Sequence, residues 1–158
     1  MRIGSSFDFH PFKEGRPLIL GGITIPYHKG LDGVSDGDAL LHSIAESILG
    51  ALSLGDLGTY FKEENSKGLD SKIILQDTNL MMIQKGYKIV NIDSTIILEE
   101  PKLSSYIFKM RENIANILNI DIDCVSIKAT TMEKCGVIGK KEGCAAFTTI
   151  LLDEVNHG

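Results

Sequence analysis

The chain has 158 residues, of which 43% are apolar and 23% charged, with a formal net charge of −5 at pH 7. This length predicts one domain, residues 1–158, with a substantial core. The acidic balance and the absence of a Lys/Arg run argue against a nucleic-acid-binding surface, and no apolar run is long enough to span a membrane.

The first residues alternate as in a β-strand. Ile3 and Phe7 point to one side, and Asp8 and His10 point to the other. Pro11 is expected to end this strand because proline has no N–H to give to a ladder.

A hairpin and a long helix follow. Two short apolar runs flank Gly21-Gly22, which predicts a tight turn between two strands. Residues 35–52 then show an apolar stripe at helical spacing, and Ser35, Asp36 and Asp38 are residue types that cap a helix N-terminus. His42 lies on the flank of that stripe, so it turns either into the core or toward a cleft.

The remaining chain alternates helices and strands. We predict a mobile loop at 62–69, a helix at 71–85, a strand at 87–98, a helix at 104–118, a strand at 125–131, a glycine-bounded loop at 136–143 and a strand at 144–153. The result is an α+β fold, a two-layer α/β sandwich. It has one mixed sheet, about three helices on one face and the N-terminal hairpin.

A sheet covered by helices on one face needs cover on the other. Candidates for an apolar second face are Val125, Ile127, Ala129, Thr131, Phe147, Thr149 and Leu151. Such a face predicts packing between the sheets of neighbouring subunits. The alternative, that these residues form the single core, fits the same periodicity and stays open.

Two clusters of residues suit catalytic chemistry. If the first strand abuts the long helix, Asp8, His10 and His42 supply a carboxylate and two imidazoles, a set that suits a zinc ion with one open position. Thr130, Thr131 and Glu133 leave a strand end and suit a phosphate with a bound Mg²⁺. The alternatives are a chance D-x-H with a core histidine, and a capped turn.

Further isolated features are weaker. Asp56 precedes a backbone turn with Leu57 and Gly58 and suits a sugar hydroxyl, although a plain turn explains it equally well. Cys124, Cys135 and Cys144 form no C-x-x-C pair, which favours reduced thiols, or simply small buried residues. With no apolar h-region and no Arg-rich transit peptide, we expect a cytoplasmic protein.

Together these motifs resemble the 2-C-methyl-D-erythritol 2,4-cyclodiphosphate synthases of non-mevalonate isoprenoid biosynthesis. The match covers nearly the whole chain, and its motifs occur in the family's order. They are R-I-G-x-x-F-D-F-H-P-F at 2–12, P-L-I-L-G-G-I-T-I-P at 17–26, S-D-G-D-x-x-L-H at 35–42, L-G-D-L-G at 54–58, P-K-L at 101–103, K-A-T-T-M-E-K at 128–134 and G-x-x-E-G at 139–143.

The resemblance implies a homotrimer with sheets packed around its axis and active sites between subunits. The implied substrate is 4-diphosphocytidyl-2-C-methyl-D-erythritol 2-phosphate, whose 2-phosphate attacks the β-phosphate and expels CMP. It also implies one zinc ion on Asp8, His10 and His42, and Mg²⁺ or Mn²⁺ on Glu133 with the substrate. Thr131 matches a hydroxyl thought to stabilise the transition state.

The implied substrate-binding residues lie in five segments, and three further residues would surround a cavity on the trimer axis. The substrate-binding set is Asp8, His10, Val34, Ser35, Asp56, Leu57, Gly58, Phe61, Leu98, Glu99, Glu100, Pro101, Lys102, Leu103, Ser104, Thr130, Thr131, Met132 and Glu133. The cavity set is Phe7, Val137 and Lys140.

The sequence also departs from the family pattern. Val34 stands where the family usually has a histidine that meets the phosphates, a loss of about 2–4 kcal/mol by analogy with removing one oxyanion donor. Residues 62–65 replace a Pro and an acidic pair in the expected flexible lid. Met132 replaces a third threonine, and Val137 and Lys140 replace an aromatic residue and an arginine.

These departures leave two other hypotheses. One is a weakly active paralogue that binds cytidine nucleotides or isoprenoid diphosphates, and the other is a zinc phosphohydrolase with a different substrate. The synthase is favoured because a drifting paralogue would be free to lose Asp8, His10, His42 and Glu133, and all four are present.

Overall fold

A computed structural model describes residues 1–156. The strands are β1 (Arg2–Glu14), β2 (Leu18–Leu20), β3 (Ile23–Ile25), β4 (Lys29–Leu31), β5 (Tyr87–Ile97), β6 (Val125–Thr130) and β7 (Gly143–Glu154). The helices are α1 (Ala39–Ala51), α2 (Leu57–Tyr60), α3 (Glu63–Ser66), α4 (Ser71–Gln84), α5 (Ile107–Leu118) and α6 (Gly136–Gly139), with a 3₁₀ turn at Ile122–Cys124. No helix among the described residues is long and apolar enough to cross a bilayer.

Five strands form one mixed sheet in the order β4-β1-β7-β5-β6, and β2 and β3 form a separate hairpin. Among the strands of the described residues only the β5–β6 pair is parallel, and α5 makes the crossover that a parallel pair requires. The predicted α+β class, with a mixed sheet, helices and an N-terminal hairpin, is confirmed.

The inner face of β1 is small and polar, and α1 packs directly on it. Gly4, Ser6, Asp8 and His10 alternate inward along this strand. A Cβ on Gly4 would lie 2.0 Å from the Ser47 carbonyl oxygen, so glycine is required for this close approach. The strand and helix therefore meet at backbone distance, with their polar side chains between them.

The outer face of the sheet is apolar and exposed. Ile3, Phe7 and Phe147 keep 71%, 58% and 43% of their surface accessible. Thr149 and Leu151 share this face, because they alternate with fully buried neighbours along β7. Val125 and Ile127 do not, since both are buried in the core beneath α5. The prediction that β6 adds them to the second face is therefore wrong.

Three segments differ from their predicted structure. Pro11 does not end β1, because it lies where the strand changes partners: pairing with β7 ends at Pro11–Gly143, and pairing with β4 begins at Phe12–Leu31. The segments predicted as loops at 62–69 and 136–143 contain the single-turn helices α3 and α6. One helical turn is too short to produce a visible apolar period.

Asp38 joins the hairpin to the start of α1. As the N-cap of α1, it accepts a hydrogen bond from the Leu41 N–H at 3.0 Å. It also accepts from the N–H groups of Gly21 and Gly22, at 3.0 and 2.7 Å. Burial raises the pKa of this carboxyl to about 6, although the backbone hydrogen bonds act in the opposite direction.

The raised pKa makes the contribution of Asp38 to stability depend on pH. Because the folded pKa of about 6 lies above the ordinary value of 3.8, the folded state binds more protons between these values. The contribution of Asp38 therefore falls as pH rises through this window, by about 3 kcal/mol in total.

We expect the free energy of unfolding of the wild type, relative to that of Asp38→Asn, to increase by about 2 kcal/mol from pH 7 to pH 4, because the variant has no carboxyl to protonate. Urea unfolding in the presence of EDTA measures this difference. Asp70→Asn, which alters the exposed N-cap of α4, is the control and should show a much smaller pH dependence. Parallel pH profiles for wild type and Asp38→Asn would contradict the assignment.

Candidate metal centre and substrate pockets

Asp8 and His10 on β1 meet His42 on the first turn of α1. His10 Nε2 lies 2.8 Å from Asp8 Oδ2, and His42 Nδ1 lies 3.3 Å from the same oxygen. The two histidine nitrogens are 3.4 Å apart. One donor atom from each residue lies within 4.8 Å of the others, an arrangement able to hold a single metal ion.

The charges of the three groups are coupled. Burial raises the pKa of Asp8, but hydrogen bonds and charge from His10 and His42 outweigh it, and the net pKa is lowered. Burial likewise lowers the pKa of His10, but Asp8 outweighs it and the net pKa is raised. The carboxylate is thus kept ionised, as a metal ligand must be, while a bound cation would displace any proton on the imidazoles.

The backbone selects the tautomer of His10. Its Nδ1 lies 2.7 Å from the carbonyl oxygen of Asp32. Because a carbonyl only accepts hydrogen bonds, Nδ1 carries the proton, and the Nε2 lone pair is available to a cation. The donor set consists of one carboxylate and two imidazoles, and the Asp32 carbonyl orients the imidazole of His10. Such a set fits a zinc ion.

A pocket of about 210 Å³ opens beside the three residues. It is lined by His10, Val34, Ser35, His42, Leu57, Phe61, Glu63, Ser66 and Ile74. The predicted site residues Val34, Ser35, Leu57 and Phe61 therefore lie next to the triad. α3 supplies Glu63 and Ser66, so part of the predicted lid forms a wall of this pocket.

Asp56 and Gly58 lie in the turn that forms α2. Asp56 Oδ1 accepts hydrogen bonds from the Thr59 N–H and hydroxyl, at 3.1 and 2.9 Å. Glu46 on α1 accepts from the Leu57 N–H at 3.0 Å and from the Ser6 hydroxyl at 3.0 Å. The turn is thereby attached to the same strand–helix pair that carries the triad.

A second pocket of about 220 Å³ lies at the ends of β5 and β6. It is lined by Leu98, Glu99, Pro101, Lys102, Leu103, Ser104, Ala129, Thr130 and Thr131. Most of the predicted substrate-binding residues at 98–104 are thus together, next to Thr130 and Thr131. Glu100 is not among them, because its carboxylate pairs with Lys141 at 2.9 Å.

The turn after β6 places Glu133 beside this second pocket. Glu99 accepts hydrogen bonds from the N–H groups of Met132 and Lys134, at 2.8 and 3.2 Å. Thr131 Oγ1 accepts from the Glu133 N–H at 3.1 Å. Glu133 and Lys134 both adopt positive φ, 53° and 64°, and Glu99 holds them in that turn.

The two pockets share no residue, although both lie at the same end of the sheet. His10 pairs with Cys144, and Thr130 is joined through Ile97 to the neighbouring Ala145. Asp8 and His10 of the triad are on β1, close to one edge of the sheet, and Thr130 of the second pocket is on β6, at the other edge. Three interstrand spacings, about 14 Å, separate the two strands.

The residues predicted to surround a central cavity lie outside both pockets. Phe7 and Val137 are 58% and 53% exposed. Lys140 lines a separate surface pocket with Tyr27, His28 and Lys141.

Sequence patterns do not single out every residue that contacts the triad. The second nitrogen of His42, Nε2, lies 2.7 Å from the hydroxyl of Ser71. In the sequence this serine signals only the start of a helix, because 29 residues separate it from His42.

Comparisons with known proteins agree along the whole chain. A model of the YgbB family matches residues 1–153. The 2-C-methyl-D-erythritol 2,4-cyclodiphosphate synthase of Chloroherpeton thalassium is 47% identical over 157 residues, 98% of this chain and 100% of its own. The synthase of Pelodictyon phaeoclathratiforme is 49% identical over 154 residues, 96% of this chain and 98% of its own.

Solved structures show the same fold. The CDP complex of IspF from Plasmodium falciparum is 40% identical, with a TM-score of 0.88, and the match covers 98% of this chain and 97% of that one. The bifunctional IspDF from Campylobacter jejuni is 38% identical, with a TM-score of 0.95 over 98% of this chain. This chain spans 42% of that longer protein.

The matches to the two synthases and to the Plasmodium falciparum protein extend over nearly the full length of both partners. Their identities are far above those of fold likeness alone, and they include the strand and helix that carry the triad. The chain therefore belongs to the YgbB family, the phosphorus–oxygen lyases of isoprenoid biosynthesis known as 2-C-methyl-D-erythritol 2,4-cyclodiphosphate synthases.

Proposed function

We propose that this chain converts 4-diphosphocytidyl-2-C-methyl-D-erythritol 2-phosphate to 2-C-methyl-D-erythritol 2,4-cyclodiphosphate and CMP. The observation that supports this most directly is the convergence of Asp8, His10 and His42, with donor atoms within 4.8 Å, at the mouth of a pocket. Full-length identity of 47–49% to named synthases makes this substrate the first to test.

The residues imply two cation sites. We assign zinc to Asp8, His10 and His42, and Mg²⁺ or Mn²⁺ to Glu133 together with the substrate phosphates. When bound, divalent cations draw electron density from phosphoryl oxygens and offset the charge of three phosphates.

The protein's own part is largely positioning. An oxygen of the 2-phosphate forms a bond to the β-phosphorus, and the bond from that phosphorus to the oxygen of CMP breaks. The attacking oxygen is already ionised near neutral pH, so no strong protein base is needed. The chain must instead fold the substrate back on itself, with methylerythritol against Phe61 and Leu57 and cytosine in the pocket around Pro101.

We propose that the active form is a homotrimer in which each site is shared. The triad lies near one edge of the sheet and the pocket with Thr131 lies at the other edge. A contact that joins one edge to the opposite edge of the next copy closes into a ring. Such a ring also buries the exposed Ile3, Phe7 and Phe147 against equivalent sheets.

We infer that Val34 slows the reaction. It is 41% exposed, lines the pocket beside the triad, and presents only methyl groups where phosphate would pass. This observation alone supports the second hypothesis, that the chain is a weakly active paralogue that binds cytidine nucleotides.

The proposed activity is tested with the diphosphocytidyl substrate, Zn²⁺ and Mg²⁺. We expect CMP from the wild type, and a loss of at least about 100-fold in His42→Ala, because one zinc ligand is removed. His28→Ala, which removes an exposed histidine from a different pocket, is the control and should match the wild type. Absence of CMP at any wild-type concentration would reject the synthase assignment.

Shared sites are tested by mixing two inactive variants. His10→Ala loses the triad, and Glu133→Ala loses the second cation site on the other edge. Random mixed trimers should recover about a quarter of wild-type activity, because one site in four pairs an intact triad with an intact Glu133. Each variant refolded alone is the control. No recovery in verified mixed trimers would place both halves of the site in one chain.

The effect of Val34 is tested by restoring a donor. Val34→His should raise kcat by about 10- to 100-fold, because an imidazole can donate to the phosphates as charge develops. Val34→Leu, an apolar change of similar size, is the control and should leave kcat near the wild-type value. An unchanged kcat in Val34→His would show that another group already fills this role.

A further inference from the structure

We infer that Ser71 and Asp36 are positioning residues that orient His42 toward the metal. This inference rests on the proposed metal site and extends it to two residues that no sequence motif assigned there. Its basis is a chain of contacts that begins on the side of the His42 ring that faces away from Asp8 and His10.

The imidazole of His42 is held on both sides. Its Nδ1 faces the other two triad residues and lies 3.3 Å from Asp8 Oδ2. Its Nε2 faces away and lies 2.7 Å from Ser71 Oγ. His42 is 9% exposed and Ser71 is fully buried, so water does not readily replace this contact.

Asp36 decides the direction of the proton in that contact. Its carboxylate accepts a short hydrogen bond from the Ser71 hydroxyl and a second bond from the Ser71 N–H at 2.9 Å. An ionised carboxylate has no proton to donate, so the hydroxyl proton of Ser71 points to Asp36. The lone pair of Ser71 then accepts the proton of His42 Nε2.

The consequence is a single tautomer. With the proton on Nε2, the lone pair of His42 is on Nδ1, the nitrogen that faces Asp8 and His10. A carboxylate behind a metal-binding histidine also raises the basicity of the ligand nitrogen. Here the Ser71 hydroxyl connects the Asp36 carboxylate to the His42 imidazole, and we call this pair of residues the relay.

Ser35 is a weaker partner for the same nitrogen. Its Oγ lies 3.1 Å from Nε2, against 2.7 Å for Ser71, and within residues 1–156 no hydrogen bond joins it to a carboxylate. The hydroxyl of Ser35 is therefore not oriented by a carboxylate, whereas the hydroxyl of Ser71 is oriented by Asp36.

The relay is anchored in the backbone. Asp36 Oδ1 also accepts from the Asp38 N–H at 3.1 Å, and the Asp36 N–H donates to the Leu69 carbonyl at 3.1 Å. Ser71 is the first residue of α4. The start of α4 and the loop before α1 are thus both coupled to the orientation of His42.

The first test measures zinc affinity by competition with a chelator. Ser71→Ala should bind zinc about 10- to 100-fold more weakly than the wild type, because the oriented acceptor is lost. Ser47→Ala is the matched control: Ser47 is fully buried on α1, and its hydroxyl bonds only the Ile44 carbonyl. It should stay within about twofold of the wild type, and Ser71→Thr, which keeps a hydroxyl, should recover most of the affinity.

Two further readouts separate orientation from general stability. Nitrogen-15 NMR of the zinc-loaded wild type should show the proton of His42 on Nε2, slow to exchange, and faster exchange in Ser71→Ala. Excess zinc should restore CMP formation in Ser71→Ala but not in His42→Ala, because only the latter lacks a ligand.

The outcomes distinguish the inference from the proposed function. A wild type that binds no zinc would overturn both. A wild type that binds zinc, with equal affinities in Ser71→Ala and Ser47→Ala, would overturn the relay alone. A wild-type His42 protonated on Nδ1 would also overturn it, and that measurement requires no variant to fold.

Discussion

The close contact between β1 and α1 is the constraint on which the rest of the molecule depends. Gly4 allows the helix backbone to approach the strand, and small or polar side chains fill the narrow space further along. An ordinary apolar residue at Gly4 would push the helix away, separating His42 from Asp8 and His10. This contact therefore has little apolar packing, and the candidate metal centre lies in the resulting polar strip.

That polar strip has a counterpart on the opposite side of β1. Because side chains alternate along a strand, placing Asp8 and His10 inward places Phe7 outward. An exposed apolar face of this kind is typical of a surface that another protein copy covers. The same alternation that builds the candidate metal centre therefore also builds the exposed apolar face that the proposed trimer would cover.

The groups that orient His10 and His42 come from different segments of the chain. The Asp32 carbonyl that orients His10 comes from the loop after β4, and the relay behind His42 joins the loop before α1 to the start of α4. The chain between these anchors includes Val34 and α3, which line the pocket. Residues that orient the candidate metal ligands and residues that line the pocket thus alternate along one segment.

Local patterns in the sequence were sufficient for the alternation of β1, the helix that begins at residue 71, the Gly21-Gly22 turn and the mixed α+β class, because each depends on neighbours within one element. Motif order was sufficient for the family. Long-range packing decided what those patterns left open: burial of Val125 and Ile127, and the contact of Ser71 with His42. Neither has a local signature, since periodicity shows that a strand has two faces but not which neighbour covers each.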